Sequence, residues 1–95
     1  MKAAIYNHQC WIKGTNPVVL TETLEKVLVQ SGFSILNKMT HHFSPQGFTA
    51  IWLLAESHFA VHTFPEENKT YLELSSCNEE MKEAFVLLLK NNFHT

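Results

Sequence analysis

Between Phe33 and Ser76 four strand-like segments follow one another with only a turn's length of polar residues between them. A parallel crossover needs a dozen or more residues, so consecutive strands this close must run antiparallel. The segments are Phe33 to His42, Phe48 to Ala55, Phe59 to Phe64 and Thr70 to Ser76. The breaks are Ser44-Pro45-Gln46-Gly47, Glu56-Ser57-His58 and Pro65 to Lys69, the first and last with the Gly or Pro that turns use. Ahead of them, Ala3 to Ile12 mixes apolar and polar residues near period two and stops at Gly14-Thr15-Asn16-Pro17, a first strand and its loop.

Two further segments carry helical spacing. Leu20, Leu24, Val27 and Leu28 recur on one face, with Thr21 as the expected N-cap, Glu22 and Glu25 near the positive helix end, and Gly32 ending the pattern. Asn78 is the expected cap of a last helix whose Met81, Ala84, Phe85, Leu88 and Leu89 form one apolar stripe. The order is therefore β-α-β-β-β-β-α. The expected class is α+β, a two-layer sandwich in which a mainly antiparallel sheet carries two helices on one face. The other face is left for solvent, substrate or a second subunit.

With 95 residues, 45% apolar and 17% charged, the chain reads as a single domain over residues 1–95 that folds around one core. Its longest apolar runs, Ala50 to Ala55 and Ala84 to Leu89, fall far short of the roughly 20 residues that cross a bilayer, so no membrane association is expected. The N-terminal stretch from Met1 to His8 meets polar residues before it builds the apolar region of a signal peptide, and a cytoplasmic protein is expected. A net charge of −2 with no basic run argues against nucleic acid as a partner. Every cation is Lys and every anion Glu; without Arg there is no planar fork to grip a carboxylate or phosphate at two points. Cys10 and Cys77 are expected as free thiols, and no metal site is expected.

Read by itself, Glu56-Ser57-His58 is a polar hairpin tip facing water. Its neighbourhood carries more. Pro45-Gln46-Gly47-Phe48-Thr49, Leu53-Leu54-Ala55-Glu56-Ser57-His58, His62-Thr63-Phe64-Pro65-Glu66, and a Cys77 twenty positions after Ser57 occur together. In this combination the block from His42 to Cys77 resembles the prokaryotic-type S-adenosylmethionine decarboxylase proenzymes, a family of pyruvoyl enzymes, and weaker similarity runs from Ala3 to about Asn92.

The resemblance implies self-cleavage between Glu56 and Ser57. The Ser57 hydroxyl attacks the Glu56 carbonyl, the peptide becomes an ester, and elimination splits the chain. Residue 57 then becomes a dehydroalanine that hydrolyses to a pyruvoyl cofactor on the fragment 57–95. Such a step needs a distorted peptide at a tight turn, an oxyanion donor and a base. By position Thr49 is the hydroxyl residue that stabilises the cyclic intermediate, His62 the base, and Cys77 the acid that reprotonates the substrate α-carbon; Phe43 and Phe64 stack on adenine, and Glu66 binds the ribose hydroxyls. The pyruvoyl keto carbon condenses with the substrate amine, and the conjugated amide carbonyl accepts electron density as carbon dioxide leaves. The implied activity is decarboxylation of S-adenosylmethionine in polyamine biosynthesis, by a homodimer with sites near the subunit boundary.

Plainer readings stand beside these roles: a satisfied core histidine for His62, a buried structural thiol for Cys77, ordinary packing for Phe43 and Phe64, a solvated turn carboxylate for Glu66. Cys10 is read as structural. Residues five apart on a straight strand point to opposite faces, so Ser57 and His62 meet only if the chain bends. The reversal between strands three and four is expected to supply that bend and to bring Thr49 towards His62. The sequence departs from the family at Glu67-Asn68-Lys69, where a Gly-bearing turn is usual, and at Asn78, where Gly usually follows the Cys. Relatives continue into a further strand beyond the position of Thr95, so a shorter sheet is expected. Pyruvoyl decarboxylation of arginine or ornithine, and a non-processing regulatory paralogue, are the alternatives.

Overall fold

The computed structural model describes residues 3–93. Met1, Lys2, His94 and Thr95, the first two part of the N-terminal stretch read above for a signal segment, lie outside them. The elements are β1 (Tyr6–Lys13), α1 (Pro17–Gln30), β2 (Ile35–His42), β3 (Phe48–Leu54), β4 (Ser57–Phe64), β5 (Lys69–Ser76) and α2 (Glu79–Asn92), with a 3-10 turn at Pro65–Glu67. The strands form one sheet in the order β1-β5-β4-β3-β2, every neighbouring pair antiparallel. The short connections make β2 to β5 a meander, as their spacing predicts. β1 closes the far edge beside β5 and therefore runs parallel to β2 at the other edge. That arrangement requires the long connection across the sheet that α1 supplies.

Alternation along the strands decides the layers. Phe48, Ala50, Trp52 and Leu54 of β3, Phe59 and Val61 of β4, and Leu72 and Leu74 of β5 are buried on one face. Leu20, Leu24, Val27 and Leu28 of α1, with Phe85 and Leu89 of α2, are buried with them. Each such large side chain contributes roughly 1.5–3 kcal/mol on leaving water. At the centre, the Phe59 ring lies 5.4 Å from Trp52 and 5.2 Å from Phe85. The Trp52 indole N–H donates to Glu25 Oε2 at 2.7 Å, and Lys38 Nζ reaches the same carboxylate at 2.9 Å. Burial raises the Glu25 carboxyl, but the hydrogen bonds from Lys38 and Trp52 outweigh it and hold the group below its ordinary value.

Several boundaries differ from the sequence reading for local reasons. α1 starts a turn before Thr21: the Asn16 side chain accepts from the Val18 and Val19 N–H groups, and Pro17 occupies the first helical position. Val18 and Val19 are exposed, so the apolar stripe that begins at Leu20 hides this first turn. Glu22 and Glu25 consequently lie beyond the first turn. At the other end Gly32 adopts φ 103°, and the N–H groups of Gly32 and Phe33 bond to the carbonyls of Val29 and Leu28. This closure needs a left-handed residue, and it turns Phe33 into the core instead of into β2. The helix α2 is capped by Asn78 as expected, its side chain accepting from Met81 N–H at 2.9 Å. β1 is Tyr6–Lys13 rather than Ala3 to Ile12, β3 ends at Leu54 rather than Ala55, and β5 begins at Lys69 rather than Thr70.

The second face of the sheet has no helix over it. Met39 of β2, Ile51 and Leu53 of β3 and Trp11 of β1 stand on it, and all four are exposed. Among the described residues no helix is long and apolar enough to cross a membrane.

Candidate active site

β3 and β4 are joined by a two-residue reversal, with Leu54 opposite Ser57 and only Ala55 and Glu56 outside the ladder. Glu56 adopts φ 57°. A side chain in that region costs roughly 1–2 kcal/mol, so the peptide entering Ser57 leaves a strained residue. The turn is tight enough that Ser57 and His58, read from the sequence as part of the break, are already the first residues of β4.

The sheet register then brings the C-terminal end of β5 to this tip. Ser57 pairs with Ser76, and its Oγ donates to Ser76 Oγ at 3.3 Å. Ser76 is fully buried; its hydroxyl donates to the Asn78 carbonyl at 3.1 Å and accepts the Asn78 N–H at 3.0 Å. The next residue, Cys77, is exposed, with Sγ 3.8 Å from Glu56 Oε2. A buried structural thiol at Cys77 is thereby excluded. The other thiol, Cys10, is half-buried against the core, and burial pushes its ionisation up.

A second cluster occupies the opposite end of β4. Thr49 and His62 are ladder partners, and Thr49 Oγ1 lies 2.9 Å from His62 Nδ1. The pair stands on the face without helices, so His62 is not a core histidine. Beside it, a cavity of about 300 Å³ is lined by Phe43, Gln46, Thr49, His62, Phe64 and Glu66. Phe43 is 52% exposed, with His41 packed edge-on at 4.5 Å. The Gln46 amide donates to Glu66 Oε2 at 3.3 Å. Phe64 continues into an aromatic row with Trp11 at 5.6 Å, and Trp11 meets Tyr71 at 5.2 Å. Burial, then the Glu73 carboxylate, raises the Tyr71 phenol.

The hairpin brings Thr49 to His62, but it does not bring His62 to Ser57. Both belong to one continuous strand, and five residues of extended chain separate them by about 16 Å. Their side chains also leave opposite faces: Ser57 shares the parity of buried Phe59 and Val61, His62 that of Ala60 and Phe64. The expected bend lies before Ser57 and not between the two residues. Sequence reading missed Ser76, Gln46, His41, Trp11 and Tyr71. The last three share the parity of Thr49 and His62 along the ladder from β2 to β1, but that row appears only once the strand order is known.

The S-adenosylmethionine decarboxylase family model matches residues 13–95. An S-adenosylmethionine decarboxylase proenzyme of Prochlorococcus marinus (strain MIT 9313) is 38% identical over 61 residues, which cover 64% of this chain and 49% of the relative. That of Methanococcus maripaludis (strain DSM 14266) is 38% identical over 63 residues, covering 62% and 52%. The chain thus spans about half the length of the curated relatives it matches. The crystal structure of the adenosylmethionine decarboxylase from Aquifex aeolicus VF5 aligns over 95% of this chain and 83% of its own, with a TM-score of 0.71 at 19% identity, a likeness of fold.

Proposed function

The chain belongs to the S-adenosylmethionine decarboxylase family, and from that premise we propose that it is a self-cleaving, pyruvoyl-dependent decarboxylase of S-adenosylmethionine serving polyamine biosynthesis in the cytoplasm. The observation that carries this reading is the strained Glu56 immediately before Ser57, with the Cys77 thiol beside it. The Ser57 oxygen bonds to the Glu56 carbonyl carbon, the peptide C–N bond breaks, and the Ser57 nitrogen takes the proton. A base then removes the Ser57 Cα proton, the Glu56 carboxylate departs, and hydrolysis of the resulting dehydroalanine releases ammonia. Relief of the left-handed Glu56 conformation favours opening at this peptide over its neighbours.

The residues present suit the pyruvoyl group so formed: it heads the fragment 57–95, next to Cys77 and the buried Ser76. When formed, it supplies an electrophilic carbonyl that takes up an amine and accepts electrons as carbon dioxide leaves. Cys77 Sγ–H returns a proton to the substrate α-carbon. The aromatic cavity beside His62 suits a purine and a sulfonium, Phe43 and Phe64 offering π faces and Glu66 accepting from ribose hydroxyls.

The separation along β4 supports a homodimer. Neither end of the strand holds a complete set of groups, and the face without helices exposes Met39, Ile51, Leu53 and Trp11 among polar residues such as Gln9, Glu73 and His58, Met39 at 74% and Leu53 at 53%. Stacking two such faces about a two-fold axis, strands opposed, lays the Ser57 end of one copy over the His62 end of the other. His62 and Thr49 then face the Glu56–Ser57 reversal at the tip of the partner copy's β3–β4 hairpin, which that copy's own His62 lies about 16 Å from along β4.

The test of substrate is release of labelled gas from carboxyl-labelled candidates. S-adenosylmethionine should yield it and arginine and ornithine should not. Release from a basic amino acid alone would replace the substrate, and release from none would leave a non-processing paralogue.

A further inference from the structure

We infer that Ser76 is the positioning residue for self-cleavage: its buried hydroxyl holds the Ser57 oxygen in the attacking orientation. The inference rests on the reading of Ser57 as the residue whose hydroxyl opens the chain. Ser76 is the ladder partner of Ser57 and has no exposed surface. Its oxygen accepts from two donors, Ser57 O–H at 3.3 Å and Asn78 N–H at 3.0 Å, while its own proton goes to the Asn78 carbonyl at 3.1 Å. Both Asn78 contacts are backbone, and Asn78 is itself fixed as the N-cap of α2. The chain of O–H bonds therefore has one direction, from Ser57 through Ser76 to a helix cap that cannot rotate away.

That direction has a chemical consequence. Ser57 must attack with an oxygen lone pair, and a hydroxyl free to turn spends part of its time with a proton aimed at the carbonyl it should attack. Donation to Ser76 draws that proton aside, polarises the O–H bond and narrows the side chain to one rotamer. During the acyl shift the Ser57 O–H bond and the Glu56–Ser57 C–N bond break, the new C–O bond forms at the Glu56 carbonyl carbon, and the proton ends on the Ser57 nitrogen. Ser76 holds the proton during reorientation and neither gains nor loses one overall. A threonine preserves this bond; an alanine removes it and leaves the Asn78 N–H without its acceptor.

The experiment follows cleavage of freshly synthesised full-length chain by intact mass, with and without hydroxylamine, which traps the ester before elimination. Ser76→Ala should slow appearance of the fragment ending at Glu56 by about 10²-fold, as loss of attack geometry does, and Ser76→Thr should stay within about threefold of the parent. The same substitution is then made on Ser57→Cys, whose thiol attacks as a thiolate without that hydrogen bond. Positioning through the Ser57 hydroxyl predicts a slowing of less than about threefold there, and a purely structural loss predicts the same slowing in both backgrounds. Equal slowing in both backgrounds, or parent-like cleavage of Ser76→Ala, overturns the inference while the parent's own cleavage upholds the reading of Ser57. A parent that hydroxylamine leaves whole overturns both.

Discussion

The two ends of β4 are built on different principles. At the Ser57 end the backbone carries the strain, in a two-residue reversal with Glu56 in the left-handed region. The hydroxyl there is locked into a network that ends on a helix cap. At the His62 end the backbone is ordinary strand, and side chains supply the feature: a hydroxyl–imidazole pair beside an aromatic cavity. In the function proposed above, the first end opens a peptide bond of the chain and the second holds a ligand and moves protons. A strand about 16 Å long between them keeps either from serving the other within one copy.

The largest effect that tests this contrast is at Ser57. Ser57→Ala should abolish both cleavage and decarboxylation, because it removes the oxygen that attacks the Glu56 carbonyl and the residue from which the pyruvoyl group forms. Next comes a mixing test. His62→Ala and Ser57→Ala, each inactive alone, should regain about a quarter of parent activity when co-assembled, since half the random dimers are mixed and each holds one intact pair. No recovery would mean that each copy works with its own His62. Cys77→Ala is smaller in scope: mass spectrometry should still find two fragments, while turnover falls by about 10²-fold for want of a proton donor.

The smallest effect lies away from both ends. The Glu25 carboxyl, held below its ordinary value of 4.5 by Lys38 and Trp52, contributes stability that is present above pH 4.5 and lost as pH falls through its lower folded value. Thermal unfolding of Glu25→Gln should therefore show a shallower decline on acidification over that range than the parent, with the cleavage site unchanged.

How much of this could be read in the sequence follows from the range of each interaction. The meander was legible because connection length alone forbids a parallel crossover. The buried stripe of α1 was legible at Leu20, Leu24, Val27 and Leu28, but its start was not. Thr21 and Asn16 are both cap residues, and the exposed Val18 and Val19 break the pattern that would choose between them. The closeness of Thr49 and His62 followed from a short hairpin. The distance of His62 from Ser57 depended on where the reversal fell, and shifting it from Glu56-Ser57-His58 to Ala55-Glu56 moved Ser57 into the strand. Ser76 was invisible because its role comes from the β4–β5 register, a pairing of residues nineteen apart that no local pattern marks.

The proposed chemistry begins at the Glu56–Ser57 peptide, and the mass of purified, folded chain tests it most directly. The predicted result is two polypeptides, one ending in the Glu56 carboxylate and one spanning 57–95 that reacts with a carbonyl reagent at its first residue. A single uncleaved mass, unreactive to that reagent, would contradict it.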